Sequence, residues 1–241
     1  TSFRLTVDPV NDSPFIADIP DQSISEDQVG LFAFEVTDID TGTTLILSAY
    51  TDTSSVTVFP NSDDFTISTL PDTNWHGSTD VTVIISDGLL TDTTIFTLVV
   101  YPINDAPLIA DVEDMSILED NSTSITFEVL DVDTGEVLIL HVLSDTNAVS
   151  SIINDEDHSV ILTPDTNWYG LANIVAIVDD GELTDTITFS IDVENVSDQP
   201  YSVLGEDIFC MQGQNVRIDG SGSYDIDNES LIYFWTVPGI F

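Results

Sequence analysis

Pro71-Asp72-Thr73-Asn74-Trp75 returns unchanged as Pro164-Asp165-Thr166-Asn167-Trp168, 164 − 71 = 93 residues later. The same step carries Asn11-Asp12-Ser13-Pro14 to Asn104-Asp105-Ala106-Pro107, and Glu26-Asp27 to Glu119-Asp120. It carries Asp38-Ile39-Asp40-Thr41-Gly42 to Asp131-Val132-Asp133-Thr134-Gly135, and Asp87-Gly88 to Asp180-Gly181. A third linker is then due at 105 + 93 = 198, where Asp198-Gln199-Pro200 stands. A fixed period of this kind marks an array of repeated structural units.

Within each copy the apolar residues recur every second position. Phe32, Phe34 and Val36 alternate with polar neighbours, as do Val81, Val83 and Ile85, and Ile95 joins the Phe96-Thr97-Leu98 run. Period two is the mark of a half-buried strand. The Asp-Thr-Gly, Pro-Asp-Thr-Asn and Asp-Gly stretches between these runs are turn formers, and no segment carries a helical stripe. Several short strands over about 90 to 100 residues predict a β-sandwich. Phe96–Val100 and Phe189–Val193 run into the linkers, and residues 3–7 match them. The expected order is therefore a last strand of a preceding repeat (1–10), repeat 1 (11–103), repeat 2 (104–197) and an incomplete sandwich (198–241). These are expected to be immunoglobulin-like sandwiches arranged end to end, within an internal fragment of a longer protein.

The charge balance narrows the function. The chain has 44 Asp and Glu against two arginines, Arg4 and Arg217, and a formal net charge of −42. Phosphate neutralisation needs Lys and Arg, so nucleic-acid binding is not expected, nor is attraction to an anionic membrane. No apolar run approaches the length of a membrane span, so no direct insertion is expected from this fragment. The acidity does not predict disorder, because 42% of the residues are hydrophobic and Val, Ile, Thr and Phe abound. The single cysteine, Cys210, has no partner for an internal disulfide and borders apolar residues, so it is expected to be buried.

Carboxylates gathered without basic partners are costly. Two charges about 5 Å apart repel by about 3 kcal/mol at an effective dielectric near 20. Convergent sets need protons or a cation, and calcium takes six to eight oxygens from Asp, Glu, Asn and carbonyls. Asp-x-Asp on an extended chain directs both side chains to one side. That reading applies to Asp38/Asp40 and Asp131/Asp133, expected at the end where the linker enters, with Asp87 and Asp180. Asp63, Asp64, Asp92 and Asp185 are expected to be solvated surface. Trp75 and Trp168 are expected to pack in the core. His76, His141 and His158 do not recur at matched positions, so zinc and catalytic roles are not expected. No nucleophile elbow or Cys/His pair is present, and the chain is read as non-catalytic.

At these residues the sequence resembles the cadherin repeat in its bacterial tandem-repeat form. The likeness rests on Asn11-Asp12 followed by Glu26, Asp38-Ile39-Asp40, Asp72, Asp87 and the next Asn104-Asp105, and it covers residues 1–200. It implies Ca²⁺ sites at the linkers. Around the first complete linker the ligands would be Glu26, Asp72, Asn104, Asp105, Asp131, Asp133 and Asp180, with Asp27 and Asn74 as extras. Pro102, Pro9 and Asn195 stand where the family linker often has a further Asp, which implies one or two ions per linker. The tail resembles a PKD domain in Ile218-Asp219-Gly220-Ser221-Gly222-Ser223, Asp225-Ile226-Asp227 and Tyr233-Phe234-Trp235. A hybrid site is expected there from Glu119, Asp165, Asp198, Asp225 and Asp227.

The resulting expectation is a calcium-rigidified spacer or adhesion segment of an extracellular or cell-surface protein. Its partner would be another copy, a glycan or a host or neighbouring surface protein. The alternative is a non-catalytic accessory segment of a secreted hydrolase.

Overall fold

The computed structural model describes residues 2–8, 10–135 and 137–236. Pro9, named above as a linker position, lies outside the described residues, as do residue 1 of the expected terminal strand and residues 237–241 of the expected third domain. The chain is all-β, with no helix among the described residues, and it divides into two units, Thr1–Asn104 and Asp105–Phe241. The division falls inside the Asn104-Asp105 linker.

Among its described residues unit 1 has nine strands: β1 (Phe15–Ile16), β2 (Gln22–Ser25), β3 (Gly30–Ala33), β4 (Val36–Thr37), β5 (Ile46–Thr51), β6 (Val56–Asn61), β7 (Thr66–Pro71), β8 (Gly77–Ser86) and β9 (Thr91–Tyr101). They form a four-stranded sheet β2-β9-β8-β5, a three-stranded sheet β3-β7-β6 and a short β1-β4 ladder. The β2–β9 pair is parallel, with Gln22 opposite Leu98 and Ser25 opposite Tyr101. The other pairs are antiparallel. Period two fixes which side chains turn inward. Val81, Val83 and Ile85 of β8 and Phe96, Leu98 and Val100 of β9 are buried, together with Ile67. Burying each such side chain contributes about 1.5–3 kcal/mol. Phe32 meets Phe96 edge-on at 5.9 Å.

Unit 2 repeats the set: β10 (Leu108–Ile109), β11 (Met115–Leu118), β12 (Thr123–Thr126), β13 (Val129–Leu130), β14 (Ile139–Ser144), β15 (Val149–Asn154), β16 (Ser159–Pro164), β17 (Gly170–Asp179) and β18 (Thr184–Glu194). Each strand begins 93 residues after its counterpart, as in 108 − 15 = 93. The sheets are β11-β18-β17-β14, β12-β16-β15 and β10-β13, again with a parallel first pair, β11–β18. Ile174, Ala176, Val178, Phe189, Ile191 and Val193 fill the core. Both units are β-sandwiches.

The repeated Pro-Asp-Thr-Asn-Trp turn has a local cause. Asn74 and Asn167 sit at φ 57°, a left-handed conformation that Asn tolerates better than most residues. The following Trp75 and Trp168 are partly buried against the two cores. Each ring lies over the glycine two places on: a Cβ at Gly77 would come within 3.2 Å of Trp75, and one at Gly170 within 3.4 Å of Trp168.

The two chain ends depart from expectation. Residues 2–8 form no strand, and Phe3, Leu5 and Val7 are exposed. Among the described residues no backbone pairs with them, and a lone strand has no ladder to hold it. From residue 201 to 236 there is one isolated bridge, Tyr201 to Tyr224, whose rings stack at 5.1 Å. Val216–Ile218 and Leu231–Trp235, expected as strands, form no strand pairing among the described residues. With no sheet to cover them, Phe209, Cys210 and Met211 are exposed, so the expectation of a buried Cys210 is corrected.

Candidate metal centres

Asp-x-Asp does not gather its carboxylates through an extended chain, as expected from period two. Asp38–Asp40 and Asp131–Asp133 are bends. The first aspartate closes each bend on the backbone: Asp40 N–H donates to Asp38 Oδ1 at 2.8 Å, and Asp133 N–H donates to Asp131 Oδ1 at 2.9 Å. Such turns are a habit of short carboxylate side chains. The second aspartate then grips the linker. Asp12 N–H donates to Asp40 Oδ2 at 2.8 Å, and Asp105 N–H donates to Asp133 Oδ2 at 2.7 Å. The remaining oxygens, Asp38 Oδ2 and Asp131 Oδ2, are buried with no hydrogen-bond partner.

Asp87 joins this group in unit 1. Asn11 Nδ2 donates to its Oδ2 at 2.8 Å, and the Leu89 and Leu90 N–H groups donate to Oδ1 at 2.7 Å. The Leu90 N–H above all, then Asn11 and Leu89, hold the Asp87 carboxyl below the usual aspartate value. Asn104, the last residue of unit 1, and Asp180, in the turn after β17, stand 93 positions after Asn11 and Asp87. Asp180 Oδ1 accepts the Glu182 and Leu183 N–H groups at 2.7 Å each.

A second kind of carboxylate sits where the chain leaves each repeat. Glu26 and Glu119 are 2% and 4% exposed, far more buried than a glutamate ordinarily is. The outgoing linker holds them there: Ile103 N–H donates to Glu26 Oε1 at 2.6 Å and Val196 N–H to Glu119 Oε1 at 2.5 Å. The copies differ at the other oxygen. Glu26 Oε2 lies 3.5 Å from His76 Nδ1, whereas Glu119 Oε2 is buried with no hydrogen-bond partner. Tyr169 stands 93 positions after His76.

Asp72 and Asp165 are exposed, and their backbones cap the tryptophan turns through Trp75 N–H and Trp168 N–H. Asp27 and Asp120 brace the same turns, accepting the Asn74 and Asn167 N–H groups at 3.1 and 2.9 Å. In unit 2 the structure brings together Glu119, Asp198 and Asp227, with one carboxylate oxygen from each within 4.8 Å of the others. Asp165 is not among them. Burial first, then the charges of Asp227, Asp120 and Asp225, push the Asp198 carboxyl above its usual value.

Asp92 and Asp185 are not the solvated surface expected of them. Ile16 N–H donates to Asp92 Oδ2, and Ile109 N–H to Asp185 Oδ2, each at 3.0 Å. They staple β1 and β10 to the starts of β9 and β18. The signal was the equal spacing of 76 residues in the two copies, which only the fold turns into a contact.

The donor set fits a hard cation. It is all oxygen, it includes buried carboxylate oxygens with nothing to accept from, and the arginine described in unit 2, Arg217, pairs at the surface with Asp219 at 3.7 Å. Oxygen sets of this kind suit calcium; zinc favours His and Cys.

Residues 103–194 match the family model of the cadherin-like domain, and this stretch is a cadherin-like β domain. No curated protein matches the chain. Among solved structures it is similar to human protocadherin-24 EC1-2, at 12% identity over 73% of this chain and 95% of that one, with a TM-score of 0.48. It is similar to Drosophila N-cadherin EC1-3, at 12% identity over 77% and 69%, with a TM-score of 0.35. It is also similar to a variant of the endo-fucoidan hydrolase MfFcnA4 from glycoside hydrolase family 107, at 18% identity and a TM-score of 0.36. That likeness covers 79% of this chain, which spans only 30% of the hydrolase's length.

Proposed function

We propose that the chain is a calcium-binding spacer or adhesion segment of an extracellular or cell-surface protein, stiffened by Ca²⁺ at the linkers between its repeats. The observation that supports it best is the twice-built acidic turn. Asp38 and Asp131 spend one oxygen on the turn and keep the other buried and unpartnered, beside a second aspartate that holds the linker backbone. A turn that served only to reverse the chain would leave its spare oxygen in water. In unit 2 the linker ligands are Asp105, Asp131, Asp133 and Asp180; in unit 1, Glu26 and Asn104 are the corresponding donors where the chain leaves the repeat. Asn11, Asp12, Asp38, Asp40 and Asp87 form the corresponding set at the start of repeat 1. The tail after Asp198 is the beginning of a further immunoglobulin-like module of the PKD type. The partner of an adhesive segment would be another copy of the chain, a glycan or a surface protein.

The test is calcium titration by calorimetry, with thermal melting and small-angle scattering in calcium and in chelator. Calcium should bind, raise the melting temperature and lengthen the average particle. A chelator that changes neither melting nor maximum dimension defeats the proposal.

A further inference from the structure

We infer that the free edge of β15 in repeat 2 binds an extended strand of another protein, one with uncharged β-branched residues at its centre and Lys or Arg at both ends. The site uses none of the linker carboxylates and does not depend on calcium at them.

The phase of the hydrogen bonds decides what this edge offers. β15 is the end strand of the sheet β12-β16-β15. Asp165 N–H donates to the Ala148 carbonyl at 2.7 Å. From there the register steps through Ser150 opposite Thr163, Ile152 opposite Ile161 and Asn154 opposite Ser159. In an antiparallel ladder alternate residues exchange bonds with the partner, and the residues between them point the other way. Val149, Ser151 and Ile153 therefore aim their N–H and C=O groups off the sheet, where no strand lies among the described residues.

Repeat 1 guards the same edge. Asp72 N–H donates to the Ser55 carbonyl at 2.8 Å, which sets the same phase in β6 and turns Val56, Val58 and Pro60 outward. Thr51 Oγ1 donates to the Val56 carbonyl at 3.0 Å, and Pro60 has no N–H to offer. Proline on an edge strand blocks the addition of a further strand. Repeat 2 has lost both guards. Ile153 stands at 60 + 93 = 153, and at 51 + 93 = 144 the Ser144 Oγ accepts the Thr146 N–H instead. The adjacent edge strand, β14, is already engaged: Leu140 N–H donates to Asp155 Oδ1 at 3.3 Å, and Ser151 Oγ donates to the Val142 carbonyl at 3.4 Å. Strand addition in this repeat is thus directed to β15, and backbone pairing of this kind supplies affinity for an extended peptide.

Charge selects the occupant. Val149–Asn154 carries no charge, but exposed carboxylates bracket it, Asp145 before and Asp155, Glu156 and Asp157 after. A second copy pairing through its own β15 would set one acidic bracket against another, whether parallel or antiparallel, on a chain of net charge −42. Like charges placed opposite each other destabilise a strand pair. A strand with basic ends meets opposite charge at both. Between the brackets, Ile152 is 68% exposed beside Ile161 on the outer face of the sheet. A β-branched residue of the added strand packs there as a cross-strand neighbour.

The experiment follows a fluorescein-labelled peptide, Lys-Arg-Thr-Val-Thr-Val-Thr-Arg-Lys, binding to the full chain by anisotropy, with amide hydrogen exchange read over β15. The peptide should bind, slow exchange at Val149, Ser151 and Ile153, and lose affinity as salt is raised. The same peptide with Glu in place of Lys and Arg should bind at least about tenfold more weakly. Ile153→Pro removes an outward N–H without breaking a bond to β16, and Ser151→Pro does so at an exposed position. Each should weaken binding about tenfold, the worth of one hydrogen bond. Pro60→Ile should add a second, weaker binding event in repeat 1, a gain that misfolding cannot imitate. The inference is overturned if both proline variants bind the peptide as the wild type does, which would make bulk acidity the attraction, or if Pro60→Ile adds no second event. It is also overturned if the wild type alone self-associates in sedimentation and Ile153→Pro abolishes that association, which would make a second copy the occupant.

Discussion

Asp131→Asn separates a ligand from a turn former. Asp131 spends Oδ1 on the Asp133 N–H at 2.9 Å, and its Oδ2 is buried without a partner. Asparagine keeps the acceptor and removes the charge, so the bend survives. With a dissociation constant of about 10⁻⁴ M, typical of tighter extracellular modules, about 10 mM calcium stabilises the folded state by about 2.7 kcal/mol. A hundredfold loss of affinity leaves about 0.4 kcal/mol of that. The difference, about 2 kcal/mol, corresponds to roughly 8–16 °C in melting temperature for a domain of this size. Without calcium the sign should reverse: an orphaned buried carboxylate is lost, and the variant should melt at or slightly above the wild type. Differential scanning calorimetry of both proteins, in calcium and in chelator, reads all four values. An equal drop in both conditions would refute the reasoning, because it would make Asp131 a structural residue only.

Three further outcomes are expected. Asp185→Ala removes the acceptor of the buried Ile109 N–H and should cost about 1–3 kcal/mol in urea unfolding, equally with and without calcium. Gly170→Ala, at φ +142° with the Trp168 ring 3.4 Å from the new Cβ, should destabilise repeat 2 by about 1 kcal/mol or more and perturb Trp168 fluorescence. Asp87, Asp114 and Asp145 titrate below the usual value because Leu90 N–H, Ser190 N–H and the Asn173 side chain respectively favour their charged forms. The unfolded chain therefore takes up protons first as pH falls. Stability from these groups should be complete above about pH 4 and drain away below it, as the folded values are passed. Asp145→Asn should make this acid slope shallower in circular-dichroism melts.

The repeat made most of the fold readable. The 93-residue offset that relates the two copies in sequence relates their strand starts as well, and alternation named the inward face of β8 through Val81, Val83 and Ile85, while in β9 Phe96 and Leu98 turn inward and Ile95 is exposed. The misses have physical reasons. The parallel partners β2 and β9 lie about 76 residues apart, and nothing local in Gln22–Ser25 marks that pairing. Period two reads Asp38-Ile39-Asp40 as extended chain, whereas the Asp40 N–H, donated to Asp38 Oδ1, bends it. Asp92 and Asp185 look like solvent-facing aspartates until β1 and β10 are laid across them. Glu26 and Glu119 recur in sequence, yet only the outgoing linker shows why they are drawn inside. In the tail, alternation in Leu231–Trp235 signals a strand, but a strand forms only where another backbone completes its ladder.

Pairing the second strand of each repeat with its last, in parallel, decides how the module bears load. Tension applied before β2 and after β9 pulls these neighbours past each other along their length. The ladder from Gln22–Leu98 to Ser25–Tyr101 is loaded in shear, with its rungs sharing the force, rather than unzipped one rung at a time. Glu26 prolongs this clamp by giving its own N–H to the Tyr101 carbonyl and accepting the Ile103 N–H. Glu119 does the same with Glu194 and Val196 beside β11 and β18. A cation held at these glutamates would sit at the exit of the clamp, where the force leaves each repeat.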